Sequence, residues 1–419
     1  MSKNLSKQFF HDILLYKWRC IMIERKKYLQ KLIDFKDTNL IKVVTGIRRC
    51  GKSTLFELYQ EYLRNFGILE EQIIAINFED LQYEELQDYK ELYKYINERL
   101  KSNHMNYVFL DEIQVVDDFQ KTVDSLYIKK NVDIYITGSN AKLLSGELAT
   151  LLSGRYVEIF MLPLSFAEYS LAIGDIQDTQ TRYNTYLKNS SFPGTLELKT
   201  YDKIKEYLAG IYNTIILKDI IERKKIQDVF MLESVIKFMF DNVGNLFSTR
   251  KIANTMKSEG RKISPNTVEI YLASLVDSYI LYRVGRYDVK GKQYLKTGEK
   301  YYLADIGLRR YLLGNRAIDQ GRVLENVVYL ELVRRGYEVH IGKQNEYEID
   351  FVATKEETIE YYQVALTIRD ENTLNRELRA LKAINDHYPK IILSMDNDLE
   401  MSYDGIRCIY AIDWLLMET

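Results

Sequence analysis

The segment from Gly46 to Ser53, Gly-Ile-Arg-Arg-Cys-Gly-Lys-Ser, fits G-x-x-x-x-G-K-[ST], the spacing of a phosphate-binding loop. Gly46 and Gly51 permit a tight backbone that aims successive N–H groups at phosphate oxygens. The helix that follows adds the positive end of its dipole. Lys52 reaches the β- and γ-phosphates of a nucleoside triphosphate, and Ser53 offers a hydroxyl to Mg²⁺. Cys50 and Thr54 belong to the same loop. Arg48 and Arg49 either touch phosphate or stand in solvent.

A loop of this kind needs an acid to organise Mg²⁺. Tyr107-Val-Phe-Leu-Asp-Glu112 is an apolar run ending in two carboxylates. Asp111 would hold the ion through water, and Glu112 would orient or deprotonate the attacking water. The pair favours hydrolysis over mere binding. The next apolar run ends Thr-Gly-Ser-Asn140, where either Ser139 or Asn140 could meet the γ-phosphate or the water. Arg155 precedes another strand. It reads equally as a salt-bridged surface residue or as an arginine finger, and a finger supplied in trans requires an oligomer.

These groups need a scaffold, and the chain supplies its pattern. Short apolar runs at Ile41–Thr45, Ile73–Phe78, Tyr107–Leu110, Val132–Thr137 and Tyr156–Met161 alternate with amphipathic helices. That alternation predicts a parallel α/β sheet. The loop lies between the first run and the helix Thr54–Arg64, as its chemistry requires. Residues 1–40 read as a helical leader and 165–245 as almost wholly helical. The chain has 419 residues, enough for two or three domains. Its 46% apolar and 28% charged residues exclude a disordered or fibrous chain. Three cysteines without metal-ligand spacing argue against a disulfide framework or a zinc site. No apolar run reaches the ~18 residues of a membrane span. A cytoplasmic protein without a membrane partner is expected.

The order of the parts resembles the AAA+ plan: loop strand, Asp-Glu strand, Thr-Gly-Ser-Asn strand, then Gly-Arg before the last strand. More narrowly, the chain resembles a group of bacterial ATPases that pair an AAA-like domain with a C-terminal domain of unknown function, similar to the archaeal ATPase superfamily. Gly46–Thr54, Ile76-Asn-Phe-Glu79, Leu110-Asp-Glu-Ile-Gln114, Leu162-Pro-Leu-Ser-Phe166, Ile211–Asp219 and Glu348-Ile-Asp-Phe-Val352 carry the likeness, which runs from about residue 22 to 415. The resemblance implies ATP as the nucleotide, Mg²⁺-dependent hydrolysis, and a homo-oligomer with a hexameric ring among its forms. It strengthens Arg155 as the finger. One departure is Asn189-Ser-Ser-Phe-Pro-Gly194, where relatives tend to show Gly-Gly-Phe-Pro-Glu.

Net charge is −2, from 58 basic and 60 acidic residues. Residues 248–300 nevertheless hold eleven Lys/Arg against five Asp/Glu, a local excess of six. Ser248 reads as the cap of one helix. Ser264 and Pro265 open a second, and a hairpin follows with a loop over 287–299. Helix, turn, helix and hairpin make the winged-helix plan. Arg261, Lys262, Lys290, Lys292 and Lys296 are its expected DNA contacts, made to phosphate and weakened by salt. The second helix is not basic, so a protein-binding role stays open.

The C-terminal region resembles the restriction-endonuclease-like fold. Glu325 on a helix, Asp350 leading a strand and Gln363 on the next match its Mg²⁺-binding positions. Ala365 stands where that pattern needs a lysine, and alanine cannot polarise water. Lys343 and Arg369 are nearby in sequence. The expectation is a degenerate nuclease fold kept for binding.

The predicted architecture is therefore α/β: leader and AAA+-type core over 1–165, helical lid over 166–245, winged helix over 246–317, nuclease-like domain over 318–419. Two functions compete: an ATPase acting on duplex or junction DNA, and a nucleotide switch of signalling or defence type that gates a protein partner. An ATP-gated nuclease is the weaker third.

Overall fold

The computed structural model describes residues 23–144, 154–174, 178–222, 224–314, 320–398 and 401–417. Most of the expected leader lies outside these residues; its described part carries α1 (Lys26–Asp34). Two compact units emerge. One comprises 1–161, 168–176 and 192–203; the other comprises 162–167, 177–191 and 204–419.

The first unit is built on five parallel strands: β1 (Ile41–Thr45), β2 (Ile73–Asn77), β3 (Asn106–Asp111), β4 (Val132–Gly138) and β5 (Tyr156–Phe160). Their order is β2-β3-β4-β1-β5. Every residue of β1 and β3 is buried, the mark of strands covered on both faces. Helices α2 (Lys52–Asn65), α3 (Tyr89–Arg99) and α4 (Phe119–Tyr127) connect them. The core joins Val43, Ile76, Val108, Leu110, Ile134 and Ile136. Lys42 breaks the apolar pattern of β1 yet is fully buried. Its ammonium meets Asp133 at 2.5 Å, and Tyr135 donates to the same carboxylate at 2.7 Å, so the charge is paired as burial demands.

The second unit carries helices α5 (Thr179–Asn189), α6 (Val229–Asp241), α7 (Thr249–Ser258) and α8 (Pro265–Asp277). Both expected caps form: Ser248 Oγ accepts from the Lys251 amide at 3.2 Å and Ser264 Oγ from Thr267 at 3.0 Å. The hairpin is β6 (Leu281–Asp288) with β7 (Gln293–Leu303). The loop expected over 287–299 is mostly strand, because β7 already pairs with β6 from Gln293 onward. After α9 (Ile306–Leu313) and α10 (Gln320–Arg334) come β8 (Glu338–Gln344), β9 (Tyr347–Lys355) and β10 (Thr358–Ala365). Then follow α11 (Glu371–Lys382), β11 (Lys390–Ser394), β12 (Met401–Tyr403) and β13 (Ile406–Tyr410). All eight strands of this unit form one sheet, ordered β12-β13-β11-β10-β9-β8-β6-β7. The hairpin joins it where β6 pairs in parallel with β8, Arg286 opposite Ile341. The hairpin and the C-terminal strands thus share a backbone ladder. Among the described residues no helix is long and apolar enough to cross a membrane.

Candidate functional site

β1 delivers the loop to the carboxyl ends of the strands, where open α/β sheets bind ligands. Gly46 has φ +144°, and a Cβ there would lie 2.1 Å from the Met161 carbonyl oxygen. Gly51, at φ +104°, ends the loop just before α2. Both positions exclude side chains on conformational grounds. The first free N–H groups of α2 belong to this turn. Lys52 is buried, and its ammonium donates to the carbonyls of Gly46 at 3.0 Å and Ile47 at 3.2 Å.

β3 brings Asp111 and Glu112 to the same end. Glu112 adopts φ +55°, a left-handed backbone that a bulky residue holds only when its surroundings impose it. Its amide donates to Thr137 Oγ1 at 2.8 Å, and the Thr137 hydroxyl donates to Asp111 Oδ1 at 2.5 Å. One threonine on β4 therefore sets both acids. Glu112 Oε1 stands 3.6 Å from Lys52 Nζ. Its Oε2 accepts from Ser139 Oγ at 3.0 Å and from the Gln114 amide at 2.5 Å. Burial pushes the Glu112 carboxyl up, but Lys52 and Arg48 outweigh it and hold the group below its ordinary range. Asp111 is pushed above its usual value by burial, against hydrogen bonds from Ser53 and Thr137. Ser53 stands near enough to Asp111 to lower its carboxyl's proton affinity, and the hard oxygens of the two make a donor set that suits Mg²⁺.

Asn140 is buried at the tip of β4 beside Ser139. Arg48 pairs with Glu79 at 2.9 Å and lies 4.0 Å from Glu112. Arg49 is exposed at φ +64°. Cys50 is buried, and burial pushes its thiol up. Arg25 was not singled out by sequence. Its buried guanidinium donates to the Cys50 carbonyl at 2.9 Å and to Glu168 at 2.9 Å, bracing the loop from α1's entry.

A family model described as "AAA domain" matches residues 38–170, and a "Domain of unknown function (DUF8612)" matches 180–319. An uncharacterized protein of Haemophilus influenzae is 45% identical over 402 residues, covering 94% of this chain and 99% of the relative. The chain belongs to a family of AAA-domain proteins. A second relative, an uncharacterized protein of Methanocaldococcus jannaschii, is 32% identical over 397 residues and covers 89% and 84% of the two chains. Among solved structures, the Walker-type ATPase PABY2304 of Pyrococcus abyssi aligns over 70% of this chain and 96% of its own, at 15% identity and TM-score 0.49. The Aeropyrum pernix ORC1 protein, solved in complex with DNA, aligns over 70% and 92% at 12% identity and TM-score 0.32.

In this AAA-domain protein Arg155 does not join the loop. It precedes β5, whose parallel partner Ile41 opens β1, so it sits at the opposite end of the sheet. It pairs with Asp124 at 2.5 Å and lies over the Tyr127 ring. Within one chain it cannot reach the nucleotide end.

The expected DNA contacts fall in the turn between α7 and α8 and in the hairpin. Arg261 stacks on Phe230 with 5.1 Å to the ring centre, and Lys262 is exposed. Lys290 and Lys292 occupy the hairpin turn, both exposed. Lys296 lies within β7, its side chain outside the described set.

Glu325 and Asp350 do come together, with a residue the sequence reading passed over. Lys300, on β7, is buried with its ammonium 2.9 Å from Glu325, 2.8 Å from Glu348 and 3.8 Å from Asp350. Tyr302 donates to Glu325 at 2.6 Å. Burial and neighbouring Glu325 push Asp350 up to about 8, against Lys300. Gln363 is occupied structurally: Oε1 accepts from the Asp350 amide at 2.7 Å, and Nε2 donates to Glu377 at 2.9 Å. Neither Lys343 nor Arg369 enters this cluster among the described contacts; Arg369 pairs with Asp396 and Asp398.

Proposed function

We propose that this protein hydrolyses ATP, and that the placement of Glu112 carries the reading. A carboxylate held ionised, 3.6 Å from the loop lysine and aimed by Ser139 and Gln114, is where a general base for water must stand. Lys52 exchanges its loop carbonyls for β- and γ-phosphate oxygens. The backbone N–H groups between Gly46 and Ser53 cradle the remaining phosphate charge. Glu112 orients water for in-line attack on the γ-phosphorus and receives its proton. Ser53 and Asp111 would hold Mg²⁺, which supplies neutralisation of phosphate charge when bound. Asn140 and Ser139 would contact the γ-phosphate or the attacking water. The position of Arg155 at the far sheet end supports a finger donated to a neighbouring copy, hence a homo-oligomer. Phosphate release assays with Lys52→Ala and Glu112→Gln test the scheme: both must abolish turnover, and only Lys52→Ala must abolish nucleotide binding.

DNA is the partner favoured by the excess of positive charge between residues 248 and 300. A second reading, a nucleotide switch for a protein partner, is favoured by α8. Its leading carboxylate Glu269 is paired with Arg283 at 2.7 Å, and Ile270 beside it is 47% exposed. Turnover measured with duplex, single-stranded and junction DNA at two salt concentrations separates them. Stimulation abolished by salt supports DNA; indifference to every DNA supports the switch.

A further inference from the structure

Two exposed patches of the first unit are opposite in charge and stand at opposite ends of its sheet. We propose that they bind each other between copies of this chain: the turn around Leu81 of one molecule seats in the hollow beside Arg155 of the next, head to tail.

The first patch follows β2. Residues 79–88, Glu-Asp-Leu-Gln-Tyr-Glu-Glu-Leu-Gln-Asp, hold five acids and no Lys or Arg. Leu81 opens the helical turn Leu81–Gln87 and is 82% exposed, with Glu84 and Glu85 exposed on the same turn. Both ends of the turn are tied down. Asp80 caps it by accepting from the Gln82 amide at 3.0 Å, and the Asp117 amide donates to the Gln87 carbonyl at 3.1 Å. The patch adjoins the nucleotide site. Glu79 pairs with Arg48 of the phosphate loop, and the Phe78 amide donates to the Asp111 carbonyl at 3.1 Å. Val115, three residues beyond Glu112, adds a second exposed apolar side chain.

The second patch lies just before the first residues of β1, β4 and β5. Asn39, Tyr127, Ile128, Lys130 and Arg155 line a hollow of about 380 Å³. Its wall is already built: the Asn39 side-chain amide donates to the Tyr127 hydroxyl at 3.1 Å, and that hydroxyl donates to the Asn39 carbonyl at 3.2 Å. Ile128 is 74% exposed and is followed by Lys129 and Lys130. The lining is basic, with two cationic side chains and no acid.

An aliphatic side chain held in an acidic collar thus faces an aliphatic rim with basic walls, which is complementarity in both apolar surface and charge. One copy cannot join the two. β2 delivers Leu81 at the carboxyl end of a parallel sheet, whereas the hollow lies at the amino end. Strands of five to seven residues keep them roughly 17–23 Å apart. Two different faces in contact repeat from copy to copy, closing into a ring or running on as a filament. Arg155 is held only by a partly exposed pair with Asp124, which contributes little and exchanges readily. Seating Leu81 brings it to the neighbour's loop and Glu112. The contact rests on the reading of Arg155 as a finger given to a neighbouring copy, and it supplies what holds that neighbour in place.

Self-association of the full chain is measured by sedimentation velocity with a non-hydrolysable ATP analogue, independently of turnover. Leu81→Asp and Ile128→Asp are each expected to weaken it ~30-fold or more, the size of a lost central anchor. Cross-linking gives a second reading, in a Cys20→Ser background because Cys50 and Cys408 are buried. Leu81→Cys mixed with Ile128→Cys is expected to form a disulfide-linked dimer on mild oxidation, and neither variant alone is expected to do so. A native chain that stays monomeric with the analogue overturns the finger in trans and this contact together. Association untouched by Leu81→Asp and Ile128→Asp, or Leu81→Cys linking to itself, overturns this contact and leaves the finger standing.

Discussion

Replacing Glu112 by glutamine tests the ATPase reading most sharply. The amide keeps the size of the side chain and can still receive a hydrogen bond from Ser139 Oγ, now 3.0 Å away. What it loses is the charge and the ability to take a proton. A positioned base contributes about 10²–10⁴-fold, which corresponds to roughly 2.7–5.5 kcal/mol in the barrier. A second effect runs the other way. Glu112 lies 3.6 Å from the Lys52 ammonium, where a unit charge pair at an effective dielectric near 20 attracts by about 4–5 kcal/mol before desolvation. Removing the carboxylate frees Lys52 for phosphate. Turnover should therefore collapse while ATP affinity holds or tightens. Phosphate release at saturating ATP and fluorescent-nucleotide titration read the two quantities separately. Turnover within about threefold of the native protein, less than 1 kcal/mol, refutes Glu112 as the base. Lost turnover with equally lost binding refutes the division of labour between Glu112 and Lys52.

Four further outcomes are expected. Gly46→Ala places a Cβ 2.1 Å from the Met161 carbonyl oxygen at φ +144°; nucleotide binding should vanish, and the melting midpoint should fall by what roughly 1–3 kcal/mol of strain implies. Arg155→Ala and Lys52→Ala should each be inactive, yet mixed oligomers of the two should recover turnover, since each copy lacks only one half of a shared site; no recovery at any mixing ratio argues against a finger in trans. If DNA binds through the hairpin turn, Lys290→Ala and Lys292→Ala should each reduce the slope of log affinity against log salt by about one, and unchanged slopes exclude these lysines. Burial pushes His340 below 6.5, against Glu338. Its folded form therefore binds the proton less readily than the unfolded chain, and stability should decline as pH falls below about 6.5; His340→Gln should flatten that decline in melts between pH 7 and 5.5.

The first unit was readable because its signals are local. β1 and β3 are buried on both faces and announce themselves as unbroken apolar runs, and the loop and acids follow at their ends. Thr137 escaped because a threonine in an apolar strand reads as an ordinary β-former; only the register of β3 against β4 shows that its hydroxyl faces both acids. Arg25 escaped because it acts on Cys50 across 25 residues with no pattern to mark it. In the hairpin, the loop expected over 287–299 is shorter, because cross-strand pairing from Gln293 overrode weak local propensity.

Lys300 is the instructive case. Along the chain, Ala365 occupies the position after Asp350 and Gln363 where the nuclease pattern needs a lysine, and Lys300 lies far upstream of all three. β6 lies beside β8, with β7 the next strand out, so a side chain from the hairpin reaches the carboxylates of α10 and β9. A buried ammonium among three carboxylates is held by charge rather than by packing alone: replacing it with an apolar group would leave the acids uncompensated. The charge requirement of the acids, rather than any motif, is what locates it.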